Sequence, residues 1–171
     1  MKILKFITFS LITLLFFISL TACSVNKYNA VLYSQANEWI DESFLKNNRV
    51  KAYYLNKNYE EGKSDPNDKY IYDSTLPSSR IFIITEKNEY NEIFTNTQLS
   101  VNFKTEMIIL YIFSDVNPSR EYKLKKISSD GGILTIETKL EHSDSDDATL
   151  PYQRCFVIKM NKSNIDEVIF K

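Results

Sequence analysis

Apolar residues fall in several distinct rhythms along the chain. Leu32, Ala36, Trp39, Ile40 and Phe44 recur at steps of three and four, the spacing of one face of an amphipathic helix. The pattern predicts a helix over residues 30–47, ended by Asn47-Asn48, with Trp39 clamping it onto a sheet. Residues 50–56 and 69–73 are rich in Tyr and other β-formers and read as two strands of a hairpin. The stretch 58–68 between them holds Gly62, Pro66 and several charges, so it is a loop. Leu76-Pro77-Ser78-Ser79 breaks the chain. Ile81-Phe82-Ile83-Ile84 then marks a buried strand over 80–85. Thr85 is placed to cap a short helix at 86–94, whose Tyr90, Ile93 and Phe94 share a face. The apolar run 107–113 is the candidate central strand, its β-branched content favouring strand over helix.

A meander follows. The segment 115–118 is a turn, 120–127 a strand, and Asp130-Gly131-Gly132 a hairpin turn, because glycine takes positive φ freely. Residues 133–140 alternate as a strand, 143–149 form a polar loop, 152–160 are the last long strand and 166–170 a short terminal one. The sum is an α+β domain: a mostly antiparallel sheet or small β-sandwich, with one N-terminal amphipathic helix and one short helix.

The first residues follow another logic. Lys2 and Lys5 precede a run from Phe6 to Leu20 that is apolar apart from Thr8, Ser10, Thr13 and Ser19. A positive start followed by an apolar stretch is a secretory signal. The stretch also approaches the roughly 20 residues of a membrane-spanning helix. Leu20-Thr21-Ala22-Cys23 decides between the two, since it resembles the lipobox of bacterial lipoproteins. That resemblance implies cleavage after Ala22 and a diacylglyceryl group on the Cys23 sulfur. Residues 1–22 are then the signal peptide, 23–29 a lipidated tether and 30–171 the single domain. The expected partner of Cys23 is the membrane, and the expected location is the extracytoplasmic face of a bacterial membrane. Each buried CH₂ contributes about 0.8 kcal/mol, so two or more acyl chains hold a domain for long times.

Composition narrows the classes. The chain has 171 residues, with 21 Lys+Arg against 22 Asp+Glu, which suits one globular domain. Near-neutral charge gives no reason to expect nucleic acid as a partner. Lys, Asn, Ile and Tyr are abundant while Arg occurs only at 49, 80, 120 and 154, a usage that fits an AT-rich genome such as that of a low-GC Gram-positive bacterium.

Candidate chemistry is sparse. Cys23 and Cys155 are the only cysteines, and with lipid on Cys23 no internal disulfide can form. Cys155 reads as a small buried hydrophobe; the competing reading, a thiol nucleophile working with His142, lacks any neighbour that would lower the thiol pKa. His142-Ser143-Asp144-Ser145-Asp146-Asp147 offers oxygens that could suit Ca²⁺, yet it breaks the EF-hand pattern, and the loop reads as a solvated connection. His142 is the sole histidine, which rules out a multi-histidine zinc site. With only three glycines there is no phosphate loop or dinucleotide fingerprint. No catalytic residue, metal site or cofactor is assigned.

Tyr53, Tyr54, Tyr59, Tyr70 and Tyr72 crowd the predicted hairpin. Tyrosine offers a broad apolar face and a polar tip at low entropic cost, so this is the candidate binding face. The structural alternative is a set of cross-strand pairs covering a half-exposed sheet.

One further resemblance concerns residues 81–160. The run 103–109 (Phe-Lys-Thr-Glu-Met-Ile-Ile), the strand around Tyr122, Leu134-Thr135-Ile136, and Pro151-Tyr152 followed by Phe156-Val157-Ile158 resemble the C-terminal domain of PrcB-type protease-complex lipoproteins and related small envelope lipoproteins. The chain departs from that pattern in having Arg120-Glu121-Tyr122 where the family usually has Gly-Gly-Tyr. The resemblance implies a small, β-rich, non-catalytic partner domain and transfers no catalytic residue.

The leading expectation is therefore a membrane-anchored, non-catalytic protein-interaction module: an accessory subunit, an inhibitor or an immunity-type protein, with a protein partner in the cell envelope. The alternative is a lipoprotein that binds a small ligand or glycan through the Tyr-rich hairpin. A solvent-exposed tyrosine row beside a concave pocket favours that alternative, and tyrosines packed under Trp39 count against it. A hydrolase dependent on His142 is the third reading.

Overall fold

The computed structural model describes residues 27–97, 99–142 and 149–171. The segment expected to be a signal peptide, the expected lipidation site Cys23 and the Asp144–Asp147 loop lie outside the described residues. Within them the fold is α+β and mostly antiparallel.

A four-stranded sheet forms the middle layer, in the order β1 (Val31–Tyr33), β8 (Tyr152–Asn161), β5 (Glu106–Asp115), β4 (Ser79–Ile84). Strands β5 and β8 pair over their full length, Glu106 opposite Asn161 and Asp115 opposite Tyr152. Both are covered on each face, which is why they read as nearly unbroken apolar runs.

On one face Ile108, Leu110, Ile112, Cys155 and Val157 meet Ala36, Ile40, Val50, Ile93 and Phe94. This cover is built from a 3-10 turn (Asn37–Trp39) and two short helices, α1 (Glu42–Asn47) and α2 (Lys87–Ile93). On the other face Met107, Ile109, Ile158 and Met160 meet Ile127, Leu134, Ile136 and Val168. Those last four belong to a three-stranded sheet of β6 (Glu121–Asp130), β7 (Ile133–His142) and β9 (Glu167–Phe170). A separate ribbon of β2 (Tyr53–Leu55) and β3 (Tyr70–Tyr72) completes the strands.

Two expectations are corrected. Residues 30–47 are not one helix but strand β1, the 3-10 turn and α1. Leu32 packs into one apolar cluster and Tyr33 against the other, an alternation that only a strand produces. The open edge of β8 pairs with this β-forming segment, Val31 opposite Lys159. Helicity resumes at Asp41, whose Oδ1 accepts from the Phe44 N–H at 2.9 Å. Trp39 accordingly clamps no long helix: its ring lies 5.0 Å from that of Tyr33 at the margin of the helix-face core. The second correction is at α2, where Glu86, not Thr85, is the N-cap residue and no side chain caps the helix.

The 130–133 hairpin is as predicted. Gly131 and Gly132 have φ of 54° and 85°, the positive values that a two-residue turn of this hand requires. The terminal strand also forms, but β9 runs parallel to β7, Ile133 opposite Glu167. A meander does not anticipate that pairing.

Candidate functional site

The described chain enters the middle sheet at one end and presents the tyrosine ribbon at the other. The Tyr28 carbonyl accepts from Asn161 N–H at 2.8 Å, beside the Glu106 end of β5. Asp115 and Tyr152 mark the opposite end. Ten-residue strands at about 3.3 Å per residue separate the two poles by roughly 30 Å.

The far pole is organised around a buried charge cluster. Arg154 and Asp115 are both almost wholly buried and are joined Nη1 to Oδ2 at 2.8 Å. Arg120 Nη1 reaches the other oxygen of Asp115 at 3.0 Å, and the Tyr122 hydroxyl donates to Oδ2 at 3.2 Å. Arg154 also donates to the carbonyls of Ser34, Asn117 and Arg120. A buried ion pair holds where such extra hydrogen bonds satisfy both ions. Here they fix the turn between β5 and β6, and so the position of Pro118. Burial raises the pKa of the Tyr122 and Tyr152 phenols, and the Asp115 charge adds to the rise.

Pro118 forms one wall of an apolar groove of about 390 Å³. Tyr53, Tyr70, Tyr152, Leu150 and Pro151 supply most of the rest, and no charged side chain among the described residues lines it. The ribbon is locked to this wall where Tyr53 N–H donates to the Pro151 carbonyl at 2.7 Å.

The five candidate tyrosines do different things. Tyr53 stands opposite Tyr72, and Leu55 opposite Tyr70, so Tyr53, Leu55, Tyr70 and Tyr72 share one face of the ribbon. The rings of Tyr53 and Tyr72 are 5.1 Å apart. Tyr70 and Tyr72 are each 44% exposed, Ile71 54% and Leu55 61%. Tyr54 points to the opposite face and is a structural post. Its hydroxyl lies 2.7 Å from the Val50 carbonyl and 2.8 Å from Gln153 Oε1, with the Arg49 guanidinium 4.3 Å above its ring. Burial raises its pKa. Tyr59 sits apart in the loop, with Lys69 Nζ 5.8 Å from its ring centre. The row is thus exposed beside a concave groove, and it does not pack under Trp39.

A larger hollow of about 730 Å³ lies beside Trp39, but the fold uses its polar groups. Asp41 caps α1, Asn37 bonds to the backbone of Gln153 and Cys155, and Glu42 pairs with Lys46. Cys155 is fully buried on the middle sheet, where desolvation pushes its thiol up to about 12. His142 is exposed at the end of β7 in the other sheet, so the two do not form a nucleophile–base pair. Among the described residues no group of three or more His, Cys, Asp or Glu side chains could hold a metal ion.

Sequence reasoning found Tyr53, Tyr70 and Tyr72 but not Pro118, Leu150, Pro151, Tyr152 or the Arg154–Asp115 pair. A charged residue at an inward position of an otherwise apolar strand was the signal available for Arg154. No protein-family model, no curated protein and no solved structure matches this chain.

Proposed function

We propose that this chain is a lipid-anchored, non-catalytic interaction module of the bacterial envelope, which receives a protein partner on the ribbon face at the pole remote from its anchor. The observation that carries the reading is the exposed row of Leu55, Tyr70 and Tyr72 beside the apolar groove. Exposed aromatic side chains around a desolvated hollow are the usual anchors of protein interfaces. Attachment at Cys23 supports the same reading, because it leaves the far pole free to face outward.

An exposed tyrosine row beside a hollow is also the feature expected of the alternative, a lipoprotein that binds a small ligand or glycan. The described lining narrows that option: tyrosine, proline and leucine offer stacking and apolar contact, whereas a glycan also calls for amides and carboxylates, which are absent from the lining among the described residues.

The test is site-specific photocrosslinking in native membranes, with a photoreactive side chain placed at Leu55 on the ribbon face and, as a control, at Lys139 on β7. One recurrent protein captured from Leu55, absent from Lys139 and lost in the Tyr53→Ala/Tyr72→Ala protein, is the expected result. Capture from both positions alike would refute the assignment of this face. Capture from neither, with glycan or small-molecule binding abolished by Tyr53→Ala, would transfer the groove to the ligand reading.

A further inference from the structure

The ribbon's hydrogen bonding shows which of its backbone groups are spoken for. Asn56 N–H donates to the Lys69 carbonyl, and Asp73 N–H to the Ala52 carbonyl. These bonds place 52/73, 54/71 and 56/69 as the hydrogen-bonded pairs of the ladder. Tyr53, Leu55, Tyr70 and Tyr72 therefore turn their N–H and C=O groups outward. On the β2 side that outward edge is used, since Tyr53 N–H meets the Pro151 carbonyl. On the β3 side the outward groups of Tyr70 and Tyr72 meet no backbone partner among the described residues.

Proteins usually guard such an edge with lysine, proline or a bulge. Strand β6, at an edge of the other sheet, follows the rule with Lys123, Lys125, Lys126 and two register shifts. Tyr70-Ile71-Tyr72 holds no proline, bulge or lysine of its own, its nearest guard being the flanking Lys69, and all three residues are exposed.

We infer that the open edge of β3 is a docking rail for an extended peptide segment of the partner, added antiparallel as a further strand. The inference rests on the ribbon face being the partner's site, and it names what the partner offers. Only an extended backbone matches the alternating donors and acceptors of Tyr70 and Tyr72. Lys69 precedes the edge and Asp73 follows it. An antiparallel guest that is basic at its N-terminal end, apolar or β-branched in the middle and acidic at its C-terminal end complements both charges. Its alternate side chains stand beside Tyr70 and Tyr72, on the face that carries the groove. The chain's own tether is not the guest. Residues 23–26 span at most about 14 Å when extended, and the described chain begins at the opposite pole.

The experiment selects peptides from a displayed library of random linear sequences against the full-length protein in detergent micelles. Each selected peptide is then compared with a twin N-methylated on alternate residues. N-methylation removes edge-facing donors while leaving the side chains intact. The expected loss is about tenfold or more for one of the two methylation registers, the scale of one or two hydrogen bonds. Amide exchange at Tyr70 and Tyr72 is expected to slow at least tenfold on binding. Tyr72→Pro removes an outward N–H at an edge, where proline is tolerated, and is expected to weaken binding well beyond Tyr72→Ala.

Recovery of no peptide, equal binding of both methylated twins, or unchanged exchange at Tyr70 and Tyr72 would each overturn the inference. Selected peptides that bind without edge protection but depend on Tyr53 would leave the ribbon face standing as the site and remove only the added strand. Protection of the two amides that rises with protein concentration, without peptide, would make a second copy of the chain the occupant and overturn the peptide assignment.

Discussion

At the scale of single residues, the far pole depends on Arg154. Its guanidinium serves Asp115 and three backbone carbonyls in a space closed to water. Arg154→Ala leaves Asp115 buried beside a single, partly exposed arginine. Loss of one partner from such a pair costs about 3–5 kcal/mol, so the urea midpoint should fall well below that of the native chain. Cys155 makes the opposite prediction, of inertness. A thiol buried under the helices and held up to about 12 stays protonated, so alkylation at pH 8 should proceed only at the rate of unfolding. The folded value lies above the unfolded one, near 8.5 to 9. This stabilisation is therefore complete below about pH 9 and is lost as pH rises toward 12. Cys155→Ala should flatten that part of the alkaline stability curve, which urea titrations from pH 8 to 11 can read. The tyrosine cluster was legible in the sequence because composition alone displays it. Which tyrosines face outward was not. That is decided by whether a position such as Tyr54 finds Val50 and Gln153 behind it, and Gln153 lies far along the chain.

At the scale of elements, the β6–β7 hairpin hangs on two glycines with different burdens. A Cβ on Gly131 meets nothing, whereas one on Gly132 runs into the Asp166 carboxylate. The Gly132 carbonyl also accepts from the Asp166 N–H at 2.9 Å, which docks β9. Gly132→Ala should cost about 1–2 kcal/mol through its positive φ and this contact, while Gly131→Asn should be nearly neutral; chemical denaturation of the two variants checks the contrast. Turn chemistry of this kind can be read directly from sequence, since it is local. The 30–47 segment was misleading for the complementary reason. Its apolar spacing satisfied a helix, but Leu32 and Tyr33 were spaced for two separate cores, and the strand partner β8 lies more than a hundred residues away. The parallel pairing of β9 was equally hidden, because register between distant strands leaves no periodic trace.

At the scale of the whole molecule, an inner sheet lies between a helical cover and a second sheet, with the described chain entering at one pole and the tyrosine ribbon at the other. The α+β class and the central place of 107–113 were legible, the latter as an apolar run too continuous for a one-sided sheet; 152–160 was legible as a long strand but not as the second central one. The layering was not, because it depends on which distant element lies over each face. With a lipid on Cys23 as the anchor, deleting residues 2–22 together with Cys23→Ser should leave the chain in the soluble fraction with its folding midpoint unchanged, which fractionation and urea titration together can establish. A final consequence concerns mechanical load. A pull applied at Lys27 and resisted at the ribbon travels along β1, whose three register pairs with β8 are loaded together in shear. At the other end the same force meets the ribbon, whose β2 strand is held to the body by the Tyr53–Pro151 bond and by the Tyr54 hydroxyl on Gln153. There the few bonds can open one after another, as a zipper does. On that path the three-pair ribbon should yield before the ten-pair junction of β5 with β8, a weak link placed where it can reform.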